Sequence, residues 1–181
     1  MANLLTGIRL LLLVPVAWAL AQPLLIPPVV VCCMILIAIL SDYFDGKVAR
    51  ALGTASPAGM LFDHGSDFLF VTSCLAAMAW ADLVPALLPF LIVIAFSQYV
   101  LDSYFLFRQK QLRMSVLGKW NGVFYFVPTV LVAGSRLFPE SAIEGLLQTT
   151  ARYLCFALIV STLASIVDRG IAPWRSTDNK L

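Results

Sequence analysis

Six apolar runs divide the amino-acid sequence, and each is close to the length that an α-helix needs to cross a lipid bilayer. A membrane-spanning helix takes about 20 mostly apolar residues. The runs lie near residues 4–22, 24–50, 59–82, 84–107, 116–138 and 143–168. Turn-forming or charged residues separate them. We therefore expect an all-α, polytopic membrane protein with six transmembrane helices, folded as a single domain over residues 1–181.

The composition predicts a surface that faces lipid. Hydrophobic residues make up 61% of the 181 residues and charged residues 12%, which is about half the charge density of a soluble domain. These charged residues are too few to cover the surface of a globular protein in water. A soluble protein is therefore excluded. A disordered protein is excluded as well, because it needs low hydrophobicity and high charge. The formal net charge of +2 gives no reason to expect nucleic acid as a partner.

The basic residues predict how the chain is oriented. If the amino terminus is cytoplasmic and the chain crosses six times, only Arg136 and Arg152 of the twelve Lys and Arg residues fall toward the far side. Basic residues concentrate in cytoplasmic loops of membrane proteins. We therefore expect both termini in the cytoplasm.

The first apolar run has two interpretations. Residues 10–20 resemble the core of a signal peptide, followed by small residues of the kind found at cleavage sites. However, Asn3, Thr6 and Arg9 recur every three residues, which places them along one side of a helix. A cleaved leader has no use for a polar stripe, so we favour a retained helix.

Four aspartates cluster in the second and third runs, where lipid makes a carboxylate costly by a few kcal/mol. They are Asp42, Asp45, Asp63 and Asp67. The first two are spaced i,i+3 and the last two i,i+4, so each pair shares one face of its helix. The link at 51–58, with Gly53 and Pro57, turns the chain back so that the two faces can meet. Oxygen-only ligands select Mg²⁺ or Mn²⁺, and four carboxylates suit two such ions.

The alternative is that these acids form salt bridges with Lys47 and Arg50, but two cations cannot neutralise four anions.

The residues beside the acids fit a phosphate ligand instead. Gly46 and Gly59 would allow a ligand to approach the backbone closely. The small side chain of Ala49 would leave room for the ligand beside Arg50. Arg50 is placed to offer a planar guanidinium to a diphosphate.

These residues together resemble the signature of the CDP-alcohol phosphatidyltransferase family at all eight specified positions. The positions are Asp42, Asp45, Gly46, Ala49, Arg50, Gly59, Asp63 and Asp67. The resemblance implies that the protein displaces CMP from a CDP-linked alcohol with the hydroxyl of a second alcohol, using two divalent ions, Mg²⁺ or Mn²⁺. It also implies a bacterial inner membrane location and a homodimer. The acids lie toward the cytoplasmic ends of their helices in the predicted orientation, so we expect an active site that faces the cytoplasm.

The resemblance also implies roles for individual residues. Asp42, Asp45 and Asp63 are expected to be the main metal ligands. Asp67 is expected to be a ligand that also takes the proton from the attacking hydroxyl. The CDP pocket is expected to be lined by Gly46, Ala49, Arg50 and Gly59. His64, which is the only histidine, acts as the base, orients Asp67, or is a hydrogen-bonding neighbour without a chemical role.

The substrates are less constrained. Residues 56–67 are similar to the choline/ethanolamine phosphotransferase branch, whereas the Asn3–Arg9 stripe and Gly118-Lys119 resemble the bacterial phosphatidylglycerophosphate synthase branch. We favour CDP-diacylglycerol as the donor and a small alcohol, glycerol 3-phosphate, as the acceptor. Lys119 and Arg113 are candidates for binding its phosphate. A CDP-choline or CDP-ethanolamine donor, and a serine or inositol acceptor, remain open.

Two further interpretations come from other classes of protein. A divalent-cation transporter would also place aspartates in the membrane, but a transport path needs polar groups across its whole thickness. Residues 29–40 and 68–80, in the outer halves of the second and third helices, hold almost no ionisable side chain. A catalytically inactive homologue is disfavoured by the intact signature.

Overall fold

Helices make up almost all of the computed structural model, which describes residues 2–51, 57–101 and 116–178. The helical elements in these ranges are α1 (Ala2–Ala21), α2 (Pro28–Ala51), α3 (Pro57–Trp80), α4 (Leu87–Leu101), α5 (Val116–Phe124), α6 (Phe126–Ser135) and α7 (Ala142–Asp178). Strands are absent from the described ranges. The expected all-α class is therefore confirmed.

The helix boundaries differ from the sequence prediction where proline intervenes. The second helix begins at Pro28 rather than near residue 24, because proline suits the first turn of a helix, where its missing N–H is not needed. The fifth apolar run is divided at Tyr125 into α5 and α6. Pro128 cannot donate to the carbonyl of Phe124, and its ring crowds that carbonyl, so the regular helix is interrupted one turn before it. The predicted link residues 52–56 and the charged loop at 108–113 lie outside the described residues.

The first three helices form one side of the molecule, and α7 forms the other. α1 packs against both α2 and α3, while α7 packs against α4, α5 and α6. The two sides meet where α3 contacts α4 and where α2 and α3 contact α6. Leu20, Phe70 and Leu75 are fully buried in the resulting core.

The outer surface is apolar. Leu11, Trp18, Phe90, Tyr153 and Val160 are each more than 60% exposed. A surface of this kind is unfavourable in water and is expected of helices that face lipid.

Among the described helices, α7 is both long and apolar enough to cross a bilayer, over Ala142–Ile171. Shorter apolar stretches occupy Thr6–Ala21, Pro28–Phe44 and Leu87–Leu101. The charged residues toward the end of α2 and the start of α3 explain why these two helices fall short of a full apolar span. Six crossings and cytoplasmic termini remain predictions.

Hydrogen bonds between side chains fix α5, and Tyr125 directly after it, against α7. Ser161 Oγ donates to Asn121 Oδ1 at 2.6 Å. The hydroxyls of Tyr125 and Thr162 lie 2.7 Å apart. Because Asn121, Tyr125 and Thr162 are buried, these bonds replace contacts with water that the groups would otherwise lose. They hold one wall of the cavity described below.

Candidate active site

A buried arginine on α1 lies among three of the signature aspartates. Arg9 Nη2 contacts Asp42 Oδ1 at 3.1 Å, and Nη1 contacts Asp63 Oδ1 at 3.4 Å. Nη1 also forms a short contact with Asp67 Oδ1. The Arg9 side chain is fully buried, whereas the three carboxylates retain partial exposure. One side chain of α1 therefore joins α2 to α3 through charge.

Ser66 extends this cluster and fixes the start of α3. Arg9 Nη1 donates to Ser66 Oγ at 2.9 Å, and Ser66 Oγ in turn donates to the backbone carbonyl of Asp63 at 2.7 Å. Ser66 is itself buried. Since Ser66 lies between Asp63 and Asp67 on the helix, its bonds orient the turn that carries both carboxylates.

The donor set at this point of α3 fits a divalent cation. Asp63, His64 and Asp67 can each offer one ligand atom, and these atoms lie within 4.8 Å of one another. Carboxylate oxygens are the preferred ligands of Mg²⁺ and Mn²⁺, and an imidazole nitrogen is compatible with Mn²⁺. The contacts with Arg9 show independently that Asp42 of α2 points to the same place as the acids of α3. The residues present are therefore suitable for holding metal.

The aspartates open onto a cavity of about 800 Å³ between the two sides of the molecule. Asp42, Asp63, His64 and Asp67 line it on α2 and α3. Lys119 of α5 and Arg169 of α7 line it as well. Acidic and basic side chains from different helices thus share one open cavity, an arrangement suited to a ligand with both metal-bound and free anionic groups.

Aromatic rings form the wall that leads from the acids toward Arg169. The rings of Phe68, next to Asp67 in the chain, and Phe96 stack with centroids 4.1 Å apart. The centroids of Phe96 and Tyr99 lie 6.0 Å apart. The guanidinium carbon of Arg169 lies 4.9 Å from the Tyr99 centroid, a cation–π distance. The remaining lining is largely apolar, with Ile39, Val71, Ile92, Val123 and Phe126.

The other predicted site residues are described in part. Gly59 lies in the first turn of α3 and is half-buried. For Asp45, Gly46, Ala49 and Arg50 the structure describes the helical backbone of α2 but not the side chains. Arg113 lies outside the described residues. Lys119 is exposed and lines the cavity, whereas Lys47 lies with its Nζ 5.9 Å from the ring centroid of Tyr43.

Two cations of the site are not among the residues that the sequence analysis selected. Arg9 appeared there only as part of a polar stripe. Its isolated charge in an apolar run, together with acids that need a positive partner, was the available signal. Arg169 had no local signal, because a basic residue near a predicted cytoplasmic helix end is ordinary.

The fold and the site together define a helical protein with an apolar surface and an acidic cluster that opens onto a ligand-sized cavity. The family model for CDP-alcohol phosphatidyltransferase matches residues 1–161, and the chain belongs to that family. The resemblance drawn from the eight signature positions is thereby confirmed.

A curated relative is similar over a short segment. A cardiolipin synthase (CMP-forming) from Streptomyces coelicolor is 40% identical over 45 residues. These residues are 25% of this chain and 21% of that protein. The similarity is consistent with the family assignment and covers too little of either chain to carry over an acceptor.

Proposed function

We propose that the protein transfers a phosphatidyl group from CDP-diacylglycerol to a hydroxyl of glycerol 3-phosphate and releases CMP. The observation that carries this proposal is the convergence of Asp42, Asp63 and Asp67 at a cavity that also presents Lys119 and Arg169. The carboxylates suit the metal-bound diphosphate of the donor. The basic side chains suit the phosphate of an anionic acceptor.

In the proposed reaction the acceptor hydroxyl attacks the phosphorus that carries the diacylglycerol. A new O–P bond forms, the P–O bond to the cytidylate breaks, and CMP leaves with the bonding electrons. Asp67, with His64 beside it, takes the proton of the hydroxyl. Asp42, Asp45 and Asp63 would hold two divalent ions together with Asp67, and these ions would neutralise the diphosphate and the departing CMP.

The donor would lie along α2 and the start of α3. Gly46, Ala49, Arg50 and Gly59 are proposed to line the CDP pocket, on the strength of their positions in the family signature. The half-buried backbone of Gly59, one turn before Asp63, supports this arrangement. The apolar and aromatic lining of the cavity suits the glyceride part of the donor.

The acceptor would lie between the aspartates and the two basic residues. Lys119 is exposed and lines the cavity, so its ammonium group is accessible to a phosphate. Arg169 presents a planar guanidinium held over the Tyr99 ring, and such a group binds phosphate in a bidentate manner. Arg113, expected to assist, lies outside the described residues.

A second candidate acceptor is phosphatidylglycerol, which would make the product cardiolipin. The largely apolar cavity wall favours it. This acceptor also carries a phosphate and a glycerol hydroxyl, so the same basic residues would serve it. Its acyl chains would need the apolar wall as well, which glycerol 3-phosphate would not.

We place the reaction at the cytoplasmic face of a bacterial inner membrane. The distribution of Lys and Arg in the sequence supports this orientation, as does a soluble, charged acceptor. Six crossings with both termini in the cytoplasm complete the proposed topology. A homodimer is proposed only because members of the family often form one.

The test of the acceptor uses the purified full chain, Mn²⁺ and labelled CDP-diacylglycerol. Glycerol 3-phosphate, phosphatidylglycerol, serine, inositol and inositol phosphate are supplied in separate reactions, and CMP and the lipid product are measured. CMP release with glycerol 3-phosphate, accompanied by phosphatidylglycerol phosphate, is the expected result.

Each other outcome identifies a different error. Reaction with phosphatidylglycerol alone would establish the second candidate and exclude the first. Reaction with serine or inositol alone would show that the acceptor carries no phosphate. A parallel reaction supplies labelled CDP-choline or CDP-ethanolamine with diacylglycerol, and CMP release in that reaction alone would overturn the proposed donor.

A further inference from the structure

Arg9 occupies a position that the proposed reaction leaves unexplained. Phosphatidyl transfer needs metal ligands, a base and substrate pockets, but it needs no cation already seated among the ligands. The Arg9 side chain is fully buried, and burying a guanidinium is costly unless charged partners surround it. Its contacts with Asp42, Asp63 and Asp67 offset that cost.

Arg9 takes one oxygen from each carboxylate. All three contacts are to Oδ1 atoms, with Nη2 facing Asp42 and Nη1 facing Asp63 and Asp67. An ionised carboxylate has two oxygens and about four lone-pair directions. Arg9 therefore restricts the rotation of each carboxylate through a contact with its Oδ1 atom.

The charges of this cluster do not cancel. Three carboxyl groups face one guanidinium, so two or more ionised acids leave an excess of negative charge. The excess attracts a divalent cation. The guanidinium repels the same cation, and it does so strongly where little water screens the charges. The same carboxylates thus attract both Arg9 and a metal ion, while the two cations repel each other.

We propose that Arg9 is a positioning residue that keeps Asp42, Asp63 and Asp67 together when metal is absent and that weakens the binding of divalent ions by the same charge. It joins α1 to the two helices that carry the signature, so the acids converge before any ion arrives. The inference rests on the proposed function, since it assumes that these carboxylates bind metal.

The experiment compares the full wild-type chain with Arg9→Gln. The dissociation constant for Mn²⁺ is measured by electron paramagnetic resonance of free Mn²⁺, without substrate. The thermal unfolding midpoint is measured in EDTA and in Mn²⁺. We expect Arg9→Gln to bind Mn²⁺ about tenfold more tightly, because the repelling charge is gone. We expect its midpoint in EDTA to fall by about 5 °C, and added Mn²⁺ to raise it by more than in the wild type.

Two further variants separate the charge from general destabilisation. Arg136→Gln removes an arginine whose guanidinium binds the end of α1 through backbone carbonyls. It should lower the midpoint and leave the Mn²⁺ dissociation constant unchanged. Arg9→Lys keeps the charge without the planar fork, so its Mn²⁺ dissociation constant should stay within about twofold of the wild-type value while its midpoint in EDTA falls.

The outcomes distinguish failure of this inference from failure of the proposed function. If the wild type binds Mn²⁺ but Arg9→Gln binds it equally or less tightly, Arg9 does not compete with the metal and the inference is overturned. If the wild type binds no Mn²⁺, the metal site of the proposed function is wrong, and the inference falls with it. If Arg9→Gln does not fold even in Mn²⁺, Arg9→Lys decides, and an altered affinity there would contradict the proposal.

Discussion

Two arginines join α1 to the other helices, Arg9 from the first half of α1 and Arg136 at its last turn, and they have different partners. Near the start of the helix, Arg9 is fully buried against three carboxylates from α2 and α3. At the other end, the half-buried Arg136, just after α6, donates from Nη1 to the carbonyl of Ala19 and from Nη2 to that of Leu20, each at 2.6 Å.

The difference shows which end is built for stability and which for binding. The last carbonyls of a helix lack partners within it and carry partial negative charge, so one guanidinium satisfies them well. Because Arg136 already binds these carbonyls, a further cation is not needed at that end. At the Arg9 end, one cation faces several full negative charges, and the excess lies in an open cavity. Substitutions at the two ends should therefore affect different properties.

The largest effect is expected from the signature aspartates. Asp42→Asn, Asp63→Asn and Asp67→Asn should each reduce CMP release by at least about a thousandfold, because each removes a charge that holds the metal. The folded state should persist, since Asn keeps the shape of the side chain and one repelling charge is lost. Turnover and the unfolding midpoint measure the two effects separately.

Asp82→Asn is the matched control for these variants. Asp82 lies in the turn after α3 with a positive φ of 57°, a conformation that Asn tolerates. It should retain wild-type activity. Near-wild-type turnover in any of the three site variants would refute the assigned site.

An intermediate effect is expected at Arg50. Arg50→Lys keeps the charge but loses the bidentate fork, so the KM for the CDP-linked donor should rise by about tenfold. The side chain of Arg50 is placed by the family signature alone, which makes this variant a test of that signature. An unchanged donor KM and rate would remove Arg50 from the pocket.

The basic side of the cavity should show a selective effect on the acceptor. Lys119→Ala should raise the KM for glycerol 3-phosphate by about tenfold and leave the donor KM within about twofold, because only the acceptor loses a partner. Arg152→Ala, an exposed change elsewhere on α7, should alter neither constant. Equal changes in both constants for Lys119→Ala would show that Lys119 does not distinguish the substrates.

The smallest effect on activity is expected at the other end of α1. Arg136→Gln removes hydrogen bonds to two carbonyls, which costs about 1–2 kcal/mol and should lower the unfolding midpoint by about 3–6 °C. Turnover measured well below that midpoint should match the wild type. A large loss of turnover without a loss of stability would contradict the contrast between the two ends.

The sequence predicted the parts of the site that depend on spacing along one or two neighbouring helices. The i,i+3 and i,i+4 spacings of the aspartates indicated that Asp42, Asp63 and Asp67 could meet, and the structure brings them together around Arg9. The partnership with Arg9 was not predicted, because the basic residues near the acids in the sequence are Lys47 and Arg50, on the same helix as Asp42. Arg9 and its acidic partners lie 33 to 58 positions apart in the sequence. Contacts over such separations produce no local pattern of residues.

The same limit explains the differences in the fold. Apolar runs predicted where helices would form, but they did not reveal the interruption at Tyr125, which comes from the effect of Pro128 on the preceding turn. They also ended the last helix near residue 168, whereas α7 continues to Asp178. Polar residues at the end of an apolar run mark where lipid ends, and a helix can extend beyond it.

The central claim is that the acidic cluster beside Arg9 works as a metal site for the release of CMP. The most direct measurement follows CMP formation from CDP-diacylglycerol and glycerol 3-phosphate by the wild-type protein in EDTA, and again after Mg²⁺ or Mn²⁺ is added in excess. The account predicts no release in EDTA and full recovery with either ion. Release at the same rate in EDTA as in Mn²⁺ would contradict it.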